Sequence, residues 1–170
     1  ETIYNECCGQ PLQISTASGV TKFEYYPGTG LPKEKDSPTE NVQWQYHPKF
    51  HGKITRFLFT DKQSKTVKSS EFEYDKEKGN LVKAKTSDGK GILIFYDNLG
   101  RISSLIDQDK RKITFKYGSN SKPTEIIQDG VGSIQVFYDK AGQIKKVDSK
   151  GGKQIAIAVA ASFQNLLEII

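Results

Sequence analysis

The sequence contains no methionine, two cysteines, two histidines and one tryptophan. No apolar run approaches the roughly 20 residues that a membrane-spanning helix requires. Two cysteines cannot hold together a disulfide-dense scaffold. Cys7 and Cys8 are adjacent, and a bond between neighbours strains the peptide that joins them. They also lack zinc-site spacing, so we read them as ordinary thiols, or as one bond to a segment outside these residues. A chain that starts at Glu1 and has no methionine is expected to be a processed chain or an excised fragment. The abruptly apolar Leu166, Leu167, Ile169 and Ile170 lead us to expect that the parent protein continues.

What is present is enough for a folded core. The 170 residues are 35% hydrophobic and include 8 Tyr and 9 Phe, which argues against general disorder. The net charge of +5 is uneven. Residues 61–122 carry 14 basic and 9 acidic side chains, whereas the flanking segments balance. A basic patch attracts anions, but lysines interspersed with acids read as a solvated strand surface and argue against nucleic acid.

The main internal signal is a repeat of about 21 residues. Phe72-Glu73-Tyr74-Asp75, Ile94-Phe95-Tyr96-Asp97, Phe115-Lys116-Tyr117-Gly118 and Val136-Phe137-Tyr138-Asp139 align, with their tyrosines 22, 21 and 21 residues apart. Ile92, Ile113 and Ile134 alternate with these positions, and a period of two predicts strands with one apolar face. Gly79, Gly100 and Gly142 follow, and with Asp75, Asp97 and Asp139 they predict turns. The aspartate accepts a turn N–H, and the glycine supplies a positive φ. A more polar second strand follows each turn, so each unit is a β-hairpin. Consecutive hairpins are expected to pair into an antiparallel meander, because one hairpin cannot bury its apolar face alone. Ile102 and Leu105, like Ile144 and Val147, are three apart, so a bulge is expected, or the first of each pair belongs to the turn.

Weaker copies lie upstream, at Val42-Gln43-Trp44-Gln45-Tyr46 and Lys22-Phe23-Glu24-Tyr25-Tyr26. Tyr46 and Tyr74 are 28 apart, so Phe57-Leu58-Phe59 and the polar stretch behind it read as an irregular insertion. The expected organisation is an N-terminal segment, 1–19, covering an edge or face; degenerate repeats at 20–70; four repeats at 71–154; and a last strand with a short capping helix at 155–170. Trp44, Tyr46, Phe72, Tyr74, Ile94, Tyr96, Phe115, Tyr117, Val136 and Tyr138 are the expected repeat core.

The stretch from Ser87-Asp88-Gly89-Lys90-Gly91 through Ile94-Phe95-Tyr96-Asp97-Asn98-Leu99-Gly100-Arg101-Ile102 resembles the RHS or YD-repeat family. It reads like that family's D-x-x-G followed by Y-D-x-x-G-R-[LI]. Asp107-Gln108-Asp109-Lys110-Arg111 is similar to its D-x-D-G-R segment, with Lys110 in place of glycine. Gly118 departs from the motif's aspartate. The resemblance implies an all-β antiparallel hairpin strip, curved or spiral. Long arrays of such strips form hollow shells in bacterial toxin complexes, and related repeats occur in the teneurin ectodomain. It further implies a secreted, periplasmic or cell-surface setting. The partner would be a protein, a glycan or the remaining parts of the parent chain. The family's self-cleaving C-terminal motif is not visible.

No catalytic constellation stands out. His47 and His51 are four apart, but Pro48 disfavours the helix that would join them on a metal. Aspartates recurring once per repeat read as turn formers rather than a catalytic pair. The Gly-rich turns lack a phosphate-cradling motif, so no cofactor is expected. Phe95 and Phe137 precede repeat tyrosines on the opposite, polar face. With Lys116 they are the candidate binding surface, unless another segment covers them. We therefore expect a non-enzymatic scaffold or binding module, alternatively part of a shell around a toxin domain. The rival from another class is a hydrolase of envelope polymers that uses His47 or His51.

Overall fold

The computed structural model describes residues 1–119 and 121–150. It is all-β, with antiparallel strands that follow one another in chain order. The chain divides into two compact units, residues 1–72 with 86–88, and residues 73–85 with 89 onward. In the first unit lie β1 (Thr2–Tyr4), β2 (Pro11–Thr16), β3 (Gly19–Tyr25), β4 (Pro32–Asp36), β5 (Glu40–Tyr46), β6 (Ile54–Asp61) and most of β7 (Val67–Tyr74). In the second lie β8 (Leu81–Thr86, apart from its last residue), β9 (Gly91–Tyr96), β10 (Ile102–Asp107), β11 (Lys112–Tyr117), β12 (Pro123–Gln128), β13 (Gly132–Tyr138) and β14 (Ile144–Lys150).

Every odd-numbered strand ends on a tyrosine: Tyr4, Tyr25, Tyr46, Tyr74, Tyr96, Tyr117 and Tyr138. The alternation expected from the sequence sets the two faces. On β9, Ile92 and Ile94 are buried while Leu93 and Phe95 are exposed. Register then aligns the apolar positions across strands. Ile94 pairs with Leu105, and Leu105 with Ile113. Phe115 pairs with Ile126, and Ile126 with Ile134. Ile92, Leu105 and Ile113 are each 2% exposed, and each such burial contributes about 1.5–3 kcal/mol.

A bulge recurs beside the tyrosines. Tyr96 pairs with Ile102, but the preceding Phe95 pairs with Ser104, leaving Ser103 extra. The same slip occurs at Tyr4, Tyr25, Tyr46, Tyr117 and Tyr138. One extra residue shifts the pleat by one step. Ile102 and Leu105 therefore share a face despite their spacing of three. Pro11, Pro32 and Pro123 occupy the position of Ile102 in other hairpins, and there proline opens a strand, where its missing N–H is tolerated.

Two expectations need correction. Residues 1–19 are not a separate covering segment but strands of the sheet: they supply β1 and β2, and β2 pairs along the edge of β3. Tyr4, 21 residues before Tyr25, is a further copy of the repeat. The segment between Tyr46 and Tyr74 is not irregular either. Its extra residues lengthen β6 and β7 to 8 residues each, against 6 in β10 and β11, and enlarge the flanking turns. Long strands absorb the insertion without breaking the ladder, since Arg56 to Thr60 pair continuously with Glu71 to Val67. The last strand and capping helix expected at 155–170 lie outside the described residues.

Candidate functional site

The repeat tyrosines and aspartates have separate tasks. Four of the tyrosines, Tyr25, Tyr96, Tyr117 and Tyr138, reach back to the preceding hairpin. Tyr117 donates its hydroxyl to the Ile102 carbonyl at 2.6 Å. Tyr138 donates to Pro123, Tyr96 to Leu81 and Tyr25 to Pro11, each at 2.8 Å. Pro11, Ile102 and Pro123 are the residues paired with the preceding tyrosine, so the bond closes over the earlier bulge. Burial pushes the phenols of Tyr25, Tyr96 and Tyr117 above their ordinary range, which keeps them protonated as donors. Arg101 adds a guanidinium 4.3 Å from the Tyr117 ring centroid.

Each aspartate closes its own turn. Asp97 accepts the N–H groups of Leu99 and Arg101, both at 2.9 Å, and the Arg101 Nε at 2.7 Å. Asp75 accepts from Lys78 and Asn80 at 2.6 Å and from Glu77 at 3.1 Å. Asp139 accepts from Ala141 and Gln143. The amide of Lys78 foremost holds the Asp75 carboxyl below its usual range, and the Arg101 amide does so for Asp97. Gly79, Gly100 and Gly142 adopt φ of 70°, 78° and 76°, so here the glycine is needed for its conformation. These aspartates are engaged as structural acceptors in separate turns. Asp107 closes the opposite turn of its hairpin the same way, through Asp109, Arg111 N and Arg111 Nε.

Phe95, Lys116 and Phe137 all lie in the second unit, on the face opposite the core. Phe95 is 45% and Phe137 44% exposed. They do not form one cluster. β9 and β13 are four strands apart in the sheet order, about 19 Å at the usual strand spacing. Lys116 stands between them and pairs with Glu125 at 2.9 Å. The ammonium of Lys146 lies 5.7 Å from the Phe137 ring centroid. Leu93, on the same face as Phe95, is 40% exposed. The arrangement is a polar, ion-paired surface with apolar footholds. Trp44 is half-buried against Phe57, with ring centroids 6.1 Å apart.

The histidines fall in the turn joining β5 to β6. The His47 Nδ1 accepts the backbone N–H groups of Lys49 and Phe50, both at 3.1 Å. Asp75 likewise accepts from the residues two and three positions on, so His47 stands where the motif has its aspartate. Its ring packs on Phe50 at 4.7 Å. A pocket of about 340 Å³ adjoins this turn, lined among others by Tyr26, Tyr46, His47, Lys49 and His51. Tyr26 meets Tyr46 edge to face at 5.7 Å and donates its hydroxyl to the Trp44 carbonyl at 2.9 Å. Sequence reasoning did not single out this pocket. The doubled Tyr25-Tyr26 and the long turn after Tyr46 were its only signals. Among the described residues, no group of three or more potential metal ligands gathers, and no helix is long and apolar enough to cross a membrane.

Cys7 and Cys8 sit exposed in the turn between β1 and β2, unbonded, with sulfurs 2.9 Å apart. The hydrogen bond with Cys8 is the first cause that pushes the Cys7 thiol up.

No family model matches the chain, and no curated protein sequence matches it. Among solved structures, it is similar to the crystal structure of TcdB2-TccC3-TEV, at 12% sequence identity and a TM-score of 0.42. The match covers 89% of this chain and 13% of that one, so this chain spans a small part of that chain's length. A likeness of that size is too weak to assign kinship, and the fold rests on the strand register itself.

Proposed function

We propose that this chain is a rigid β-hairpin scaffold of the RHS/YD-repeat kind, part of a longer secreted or cell-envelope protein, which acts by display rather than catalysis. The observation that carries this reading is the repeated tie of tyrosine hydroxyl to preceding-hairpin carbonyl. Such ties spend the tyrosine hydroxyls of these four units on rigidity. The aspartates are likewise engaged by turn amides, and His47 accepts two amides at Nδ1. The partner, a protein or a glycan, docks on the face that carries Phe95, Lys116 and Phe137. Exposed aromatics on a polar, rigid face suit an interface, because they bring apolar area at little cost in conformational entropy.

The test uses glycan arrays and pull-downs with the chain and with a Phe95→Ser/Phe137→Ser variant. Both side chains are a little over half covered, so the variant should lose roughly 1–3 kcal/mol of stability and is shown to be folded by circular dichroism before binding is compared. A ligand should lose about 30-fold in affinity when an anchor worth about 2 kcal/mol is removed. Equal binding by the variant would reject this surface. Turnover of a cell-envelope polymer by the parent chain would reject the non-enzymatic reading.

A further inference from the structure

Three departures from the repeat converge at one place in the first unit. Where the other hairpins have one tyrosine, β3 ends in Tyr25 and is followed by Tyr26. Tyr25 makes the usual tie to Pro11, which leaves Tyr26 to pack on Tyr46. Where Asp75, Asp97 and Asp139 close their turns, His47 does so. The turn itself is longer than its counterparts, with Tyr46 pairing with Ile54, whereas Tyr96 pairs with Ile102 and Tyr138 with Ile144. Its added residues bring Lys49 and His51 to the pocket rim. Departures from a locally consistent pattern concentrate where function competes with folding, and here all three line the same cavity.

The chemistry of that cavity defines its ligand. The volume of about 340 Å³ lies at the lower end of the roughly 300–1,000 Å³ of small-molecule sites. Two tyrosine rings held edge to face make a stiff apolar wall. The His47 Nδ1 accepts two amides, which fixes the ring at the edge of the cavity. Lys49, whose ammonium lies 5.1 Å from the Phe50 ring centroid, and His51 are exposed and place basic nitrogen at the rim, and among the described lining residues there is no aspartate or glutamate. We infer that this pocket binds a small ring-shaped carboxylate, its ring face against Tyr26 and Tyr46 and its carboxylate towards Lys49 and His51. Both an acidic sugar and an aromatic acid have this chemistry.

Amide NMR titrations of the chain with D-glucuronate and with benzoate test the inference, with D-glucose and benzyl alcohol as neutral counterparts. At least one acid should give saturable shifts at Gln45 to Gly52, with a Kd on the order of 1 mM. The acid that does so identifies the source. Each neutral counterpart should bind at least tenfold more weakly. A Lys49→Gln/His51→Gln variant alters only exposed side chains and should keep the parent spectrum elsewhere while losing about tenfold in affinity. Neutral counterparts binding as well as the acids would overturn the inference. So would saturable shifts confined to other residues, or no saturable shift with either acid.

Discussion

The Tyr117 hydroxyl donates to the Ile102 carbonyl at 2.6 Å, and Ile102 is the residue paired with Tyr96, the tyrosine one repeat earlier. Tyr25, Tyr117 and Tyr138 are thus each linked through backbone to the preceding tyrosine, fastening the bulge beside it. Adjacent hairpins are joined by ladder bonds and by a side-chain strut as well.

Removing one strut should destabilise without unfolding. Tyr117→Phe keeps the ring and its contact with Arg101 but leaves the Ile102 carbonyl short of a donor. A loss of about 1–1.5 kcal/mol is expected, the usual net worth of a hydrogen bond. Urea denaturation followed by circular dichroism measures it. An unchanged midpoint would mean that water replaces the hydroxyl at no cost.

The turn aspartates predict acid sensitivity. Asp75 and Asp97 are held below the usual carboxylate range, chiefly by the Lys78 and Arg101 amides. A folded-state pKa below the unfolded value of about 3.9 contributes stability that is fully present above that value. It is lost as pH falls through the lower, folded value. The part of the urea midpoint that these two aspartates supply should therefore be constant from neutral pH down to about pH 5 and fall below it. Asp75→Asn/Asp97→Asn should start lower at neutral pH and show a shallower acid limb. Parallel acid limbs for parent and variant would contradict the assignment.

Lys110 adopts φ of 63°, as Lys65 does at 57° in the β6–β7 turn, where two other turns of this type use Gly89 at 89° and Gly130 at 75°. A side chain in this left-handed conformation costs roughly 1–2 kcal/mol, partly offset by the greater entropy glycine loses on folding. Lys110→Gly should raise stability by about 0.5–1 kcal/mol. Gly100→Ala, at φ of 78° with no atom within 4 Å of the added carbon, should lower it by about 1–2 kcal/mol. Thermal unfolding of the two variants checks the pair, and a common sign of change would refute the backbone argument.

Strand existence, facing and turn placement were legible because they are local. Ile92, Ile94 and Tyr96 alternate within one strand, and the bonds of Asp97 run to residues two and four positions on. The bulge was legible as a spacing anomaly at Ile102 and Leu105. The first hairpin was missed although Tyr4 stands one full period before Tyr25, because its strand is only three residues long and offers little alternation. The insertion before Tyr74 was misread because length alone does not distinguish a loop from two longer strands.

By itself the sequence determined the hairpin period, the apolar face and the chemistry of each turn, since all three depend on residues close in the chain. Tertiary structure decided what those residues reach across strands. It fixed which carbonyl Tyr25, Tyr96, Tyr117 and Tyr138 cap, set His47 in the place of an aspartate, and brought Tyr26 beside Tyr46 to wall a pocket. Register sets these pairings. It is selected by the summed burial of many residues, and no short stretch of sequence encodes it.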